Sequence, residues 1–158
     1  MSETNNLLLK RGNGKCNNVC QSSFAHAIFS RDITGIMSFG QDDFGCTFVY
    51  GYLNGGFSFP EKHHYSIVIL DSCGQITHNL NDKINFDFVN DGVAPFFAKL
   101  PDSYLNLDCT PTGIFNVQCD PITTPTPTYS KRRSRRAFVG VVKDNRLVDK
   151  FPIPKDGN

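Results

Sequence analysis

His63 and His64 stand side by side in EKHHYSIVIL, at the start of an apolar run. Imidazole nitrogens are the commonest protein ligands for zinc and copper, so adjacent histidines are the first place to look for a metal. A strand-borne site would need further donors at alternating positions, because successive side chains point to opposite faces. Those positions read Ser66, Ile67, Val68 and Ile69. The same alternation puts His63 and His64 on opposite faces, which predicts one surface histidine and one half-buried histidine with a single hydrogen bond. Of the other two histidines, His26 in FAHAIFS reads as strand surface, and His78 is the lone histidine of DSCGQITHNLNDKI. Cys16 and Cys20 in CNNVC have a C-x3-C spacing, but no second Cys/His pair at finger-like spacing follows; they read as two thiols on a mobile arm rather than a zinc site. Cys109 and Cys119 close a small loop if oxidised, and are two reduced thiols otherwise. No Ser/His/Asp or Cys/His constellation can be read from spacing.

The other group with chemistry is basic. Lys131, Arg132, Arg133, Arg135 and Arg136 hold five of the 16 Lys and Arg residues; the remaining 11 face 15 acidic residues, so a mildly acidic body carries one basic knot at a net charge of +1. Clustered cations release counterions when they meet phosphates, which makes nucleic acid or another acidic surface one reading of this stretch. Nuclear import is a second reading. A solvated loop or an assembly contact is a third, and the poor interleaving with aromatics favours it. Arg133 to Arg136 also fits a dibasic processing pattern, which the lack of a visible secretory signal argues against.

The elements that must position these groups are strands. With 158 residues, 14 Phe, five Tyr and no Trp, the chain has the size of one domain with a real core. Short apolar runs recur every 10 to 15 residues at 24–30, 34–41, 46–53, 63–70, 84–89, 93–100 and 137–144, with Gly and Asn between them. In TGIMSFGQ, Met37 and Phe39 alternate against Ile36, Ser38 and Gly40. Asn90, Asp91 and Gly92 predict a hairpin turn. This pattern predicts an all-β sandwich or barrel. The expected organisation is a polar N-terminal arm over 1–23, a sandwich over 24–150 with a Pro/Thr-rich insertion at 108–130, and a tail over 151–158. No stretch approaches the roughly 20 apolar residues that span a bilayer, so the expected setting is cytoplasm, nucleus or an assembly formed there, where thiols stay reduced.

Six of these stretches fall in an order that resembles copper/zinc superoxide dismutase. Thr34 to Gln41 is similar to the family's V-x-G-x-I-x-F, Tyr50 to Asn54 to the end of V-x-G-x-L-x-G-L, and Lys62 to Leu70 to P-G-x-H-G-F-H-V-H. Asp91 to Ala94 is similar to D-G-V-A, Asp102 to Leu107 to D-x-D-S-x-I-S-L, and Arg136 to Leu147 to G-R-x-L-V-V-H-x-x-x-D-D-L-G. The resemblance implies a Greek-key β-sandwich or flattened barrel of about seven antiparallel strands, with a shortened metal loop and no final strand. It also implies where metal ligands would stand. The second and third histidines of H-G-F-H-V-H bind copper, and Ser66 and Val68 occupy those positions; the histidine of L-V-V-H falls on Val141. Valine has no lone pair, and a serine hydroxyl is a poor copper ligand. The zinc loop is reduced to Asp71 to Ile84, with His78 its only histidine and Asp82 the nearest aspartate. Cys73 stands near one of the family's disulfide cysteines, and the partner expected from the family is missing. The resemblance therefore implies no cofactor and no catalysis: a pseudoenzyme acting as a structural or partner-binding module, similar to the degenerate members of this family that large DNA viruses carry, and associated with a virion or a host partner. The alternatives are a superoxide dismutase with a metal site rebuilt from His63 or His64 and His78, and a nucleic-acid or acidic-surface binder through Lys131 to Arg136.

Overall fold

A computed structural model describes residues 22–100, 104–108, 113–115 and 137–154. Nine strands run in the order β1 (Ser23–Ser30), β2 (Thr34–Gln41), β3 (Thr47–Asn54), β4 (Tyr65–Leu70), β5 (Ile76–Asn79), β6 (Phe88–Val89), β7 (Gly92–Leu100), β8 (Ala137–Lys143) and β9 (Arg146–Ile153). They form two antiparallel sheets, β1-β2-β3-β7-β6 and β5-β4-β8-β9. The chain leaves the first sheet after β3, makes the β4-β5 hairpin in the second, returns for β6 and β7, and crosses again to end in β8 and β9. The fold is an all-β sandwich. No helix among the described residues is long and apolar enough to cross a membrane.

Alternation builds the core between the sheets. Ala25, Ala27 and Phe29 of β1 and Met37 and Phe39 of β2 pack against Tyr65, Ile67 and Ile69 of β4 and Val139 and Val141 of β8. Leu105, Leu107 and Phe115, from the connection between β7 and β8, join the same core. The polar anchor of that connection is Gln41, which is 1% exposed. Its Oε1 accepts from the backbone N–H groups of Leu107 (3.2 Å) and Asp108 (3.1 Å), and its Nε2 donates to Gly45 O (3.1 Å) and Asn106 Oδ1 (3.0 Å). Thr47 Oγ1 donates to Leu105 O at 2.7 Å. A buried amide with its donors and acceptor satisfied fixes one arrangement, because leaving any partner unpaired costs a desolvation penalty.

Four sequence expectations change. The tail does not end the sandwich: β9 pairs with β8 from Lys143↔Arg146 to Ala137↔Ile153, and Phe151 and Ile153 are core residues. The chain past residue 150 is thus part of a strand that forms one edge of the second sheet. The sequence pattern hid it because an edge strand tolerates both Pro152 and a bulge between Val141 and Val142, and these break the alternation of Leu147 and Val148. Second, the described residues hold nine strands where about seven were expected, because β5, a four-residue, mostly polar strand within Asp71 to Ile84, adds to β9. Third, the strand expected over 84–89 shrinks to Phe88–Val89. Fourth, the Pro/Thr-rich insertion expected at 108–130 contributes to the core: Phe115 is a core residue, and its N–H reaches back to Leu107 O at 2.9 Å. The turn expected at Asn90–Gly92 forms as read, with Asn90 and Asp91 at φ of 51° and 67°, and joins β6 to β7.

Candidate functional site

The opening histidines lie just before β4, at the turn end of the second sheet. Asp144, in the β8–β9 turn, takes both of them. Its Oδ2 lies 2.7 Å from His63 Nδ1, its Oδ1 accepts the His64 backbone N–H at 2.9 Å, and its own N–H donates to His64 O at 2.9 Å. The backbone N–H of His64 and then the His63 ring hold the Asp144 carboxyl below the usual carboxylate range. The His64 ring stays exposed, with Nε2 at 3.4 Å from Ser66 Oγ. One partly exposed histidine with one side-chain partner and one exposed histidine is the arrangement the sequence predicted. Asp144 acts here as a latch between the start of β4 and the β8–β9 turn. His26 bonds Ser38 Oγ at 2.9 Å on the outer side of the first sheet. His78 sits apart: its ring lies edge-on to Tyr104 at 5.1 Å and bonds Thr77 Oγ1 at 2.9 Å, and burial pushes its pKa down. No group of three or more His, Cys, Asp or Glu side chains among the described residues is placed to hold a metal ion.

The three residues at the family's copper positions do not share a face. Ser66 and Val68 point to the outer side of β4, while Val141 points into the core opposite Ile67. The β8 residues that share the outer face with Ser66 and Val68 are Val142 and Gly140. Although Ser66, Val68 and Leu70 face outward, all three are buried. Leu70 and Leu147 close over Gly140, where an added Cβ would meet Leu70 Cδ1 at 2.5 Å and Leu147 Cδ1 at 2.9 Å. Beside Ser66 stands one imidazole nitrogen, His64 Nε2, and beside Val68 stand the apolar side chains around Gly140; one nitrogen does not make a ligand set for copper.

The outer face of the first sheet is the reverse. Cross-strand register lays down rows in which Phe24, Gly40, Phe48 and Lys99 align, then His26, Ser38, Tyr50 and Phe97, then Ile28, Ile36 and Tyr52. Phe97 is 69% exposed and Phe24 55%. Phe97 stacks on Tyr50 at 6.0 Å and tilts against Phe48 at 5.7 Å between centroids. Gly40 lets the Phe24 ring lie close over the sheet, since a Cβ there would come within 3.2 Å of that ring. Together with Phe44 these rings line a groove of about 620 Å³, with Asp42 and Asp43 at one end. Asp42 Oδ1 is engaged by the backbone N–H groups of Phe44 and Cys46 at 2.9 and 3.0 Å, and Asp43 is exposed. This surface is the feature that sequence reasoning missed. The signal was present in FAHAIFS, TFVYGYLN and APFFAKL, where the positions alternating against the core are themselves aromatic or aliphatic.

Cys46 and Cys73 are both disulfide-bonded, which corrects the expectation of reduced thiols and of a Cys73 without a partner. The expected N-terminal arm up to residue 21, Cys16 and Cys20, the Cys109 and Cys119 pair, and Lys131, Arg132, Arg133, Arg135 and Arg136 lie outside the described residues. Family models, curated proteins and solved structures contain no match to this chain, and its sites stand on their own chemistry.

Proposed function

We propose that this chain is a non-catalytic, superoxide dismutase-like β-sandwich that works as a partner-binding module, through the aromatic groove on the β1-β2-β3-β7 sheet. The observation that carries the reading is the exposure of Phe24, Phe44, Tyr50 and Phe97 around one groove. Monomeric proteins seldom leave a contiguous patch of large apolar side chains in water without a use for it. Aromatic side chains bring large contact area at low entropic cost, which suits an interface centre. The carboxylates of Asp42 and Asp43 select the partner by charge: a protein segment with a Lys or Arg beside apolar side chains, its cation meeting the acidic end and the ring faces.

The resemblance is supported by the placement of its motifs. Thr34–Gln41 is β2, Tyr65–Leu70 is β4 and Ala137–Lys143 is β8, in the order expected. Ser66, Val68, Gly140 and Val142 support the absence of copper chemistry, because none of them offers a competent ligand for that metal. The same resemblance suggests the virion or a host protein as the setting.

Two measurements test the reading. Protein purified without chelator is assayed for metal per chain and for superoxide turnover on the same sample; about one copper per chain with turnover sinks the non-catalytic half. A displayed peptide library is selected on the folded protein. Binders should be enriched in Lys or Arg next to Leu or Phe, and should lose about tenfold or more in affinity with Phe97→Ala or Asp43→Lys. Binders indifferent to both substitutions place recognition elsewhere and end the groove assignment.

A further inference from the structure

The two described cysteines sit on two hairpin turns of the same design. In the β2–β3 turn, Asp42 Oδ1 accepts the N–H groups of Phe44 and Cys46, Gly45 N–H returns to Asp42 O at 3.1 Å, and Gly45 has φ of 90°. In the β4–β5 turn, Asp71 Oδ1 accepts the N–H groups of Cys73 and Gln75 at 2.9 Å each, Gly74 N–H returns to Asp71 O at 3.0 Å, and Gly74 has φ of 87°. The aspartate side chain replaces a backbone turn, and glycine takes the left-handed position that other residues avoid. Each turn is thus a fixed platform for its cysteine.

Pairing places both platforms at one end of the sandwich. Gln41 lies opposite Ser23, Thr47 opposite Leu100, and Leu70 opposite Phe138. The chain preceding β1, the exit from β7 and the arrival at β8 all meet this end. The four remaining cysteines belong to just these segments: Cys16 and Cys20 precede β1, and Cys109 and Cys119 lie between β7 and β8. Cys109 directly follows Asp108, whose N–H is held by Gln41 and whose Oδ1 accepts Ser23 Oγ–H at 2.7 Å. Six cysteines are an even count, and the two described ones are both in disulfides.

We infer that the mature protein is fully oxidised, with Cys46 and Cys73 fastening the segment before β1 and the β7–β8 connection to this end of the sandwich, and that it is made in a disulfide-forming compartment or reaches one. Each bond forms from two thiols with loss of two protons and two electrons. A donor disulfide, oxidised glutathione or a dithiol–disulfide oxidoreductase, takes up both electrons and is reduced to two thiols. Reducing cytosol does not sustain such bonds, whereas secretory compartments and virion or cell surfaces do. The basis of this inference is independent of the aromatic groove.

Thiol trapping tests it. Cells producing the full chain are quenched in acid, free thiols are blocked with an alkylating reagent, and the protein is mapped under non-reducing conditions. Cys46 and Cys73 should escape alkylation, and each should appear cross-linked to a peptide containing Cys16, Cys20, Cys109 or Cys119. Reductant should lower Tm by roughly 10 °C or more, since each bond closes a loop of the unfolded chain. Cys73→Ser, a change at an exposed position, should expose one new thiol within the arm or the connection. Alkylated Cys46 and Cys73 in the trapped protein, or a Cys46–Cys73 cross-link, overturns the inference.

Discussion

The outer side of the β1-β2-β3 sheet leaves Phe24, Ile28, Tyr50 and Tyr52 in water, while the outer side of β4 buries Ser66, Val68 and Leu70. Both sets alternate against core residues, so strand periodicity treats them alike. They differ in what the sheet neighbours supply. On β4 the outward side chains are small or aliphatic, Gly140 lets Leu70 and Leu147 close over the strand, and the face becomes a second apolar layer. On the first sheet the Phe24 ring lies over Gly40 in the same way, but that ring and its neighbours stay exposed and frame a groove. A glycine in a strand marks close approach of something else. In one sheet that something is Leu70 and Leu147, which seal the face, and in the other the ring of Phe24, which remains exposed.

The contrast can be broken, beginning with its largest consequence. Val68→Asp places a charge on the sealed face and should destabilise the fold by about 3 kcal/mol or more in urea unfolding. A cost under about 1 kcal/mol would show the face to be open to water after all. Gly140→Ala pushes against Leu70 and Leu147, whose ends can give a little, and should cost about 1–2 kcal/mol; a neutral result would mean the leucines do not close there. Phe97→Ser removes an exposed ring and should shift stability by no more than about 0.5 kcal/mol, while it abolishes selection of basic, apolar peptides. A large loss of stability would show that ring to be structural instead.

The smallest effect concerns pH. Burial lowers the His78 pKa, so the unfolded chain takes up a proton at that position before the folded chain does. Stability from this group is fully present above the unfolded value near 6.5 and declines as pH falls through it. His78→Gln should flatten the fall in Tm between pH 7.5 and 5.5, and an unchanged profile would place that dependence on other groups. Asp144 acts in a lower window. Its folded pKa is depressed by the His64 N–H and the His63 ring, so its contribution is present above the ordinary carboxylate value and is lost as pH falls through the depressed one.

Strands whose pattern was strict were legible beforehand. Met37 and Phe39 face the core and Ile36, Ser38 and Gly40 face outward, as TGIMSFGQ dictates. The Asn90–Gly92 turn was readable because two consecutive left-handed residues demand that chemistry. β5 and β9 were not. ITHN is a four-residue edge strand with three polar residues, and RLVDKFPI carries a bulge and a proline that only an edge accepts. The candidate site divides in the same way. The unsuitability of Ser66 and Val68 as ligands follows from their side chains alone. That Val141 turns inward depends on the pairing with Ile67, which no motif alignment fixes to within one residue.

The sequence by itself determined the class of fold, because period-two burial and glycine-rich turns admit few other solutions, and it determined the chemistry open to each position, because side-chain donors do not depend on folding. The tertiary structure decided which of those positions meet. Cys46 and Cys73 come to one end, Asp144 reaches both histidines, and aromatic residues from β1, β3 and β7 become a single groove only when antiparallel register sets them side by side. Register is a long-range property: it is selected by burying one face of each strand against distant residues, and local sequence carries no record of the partner.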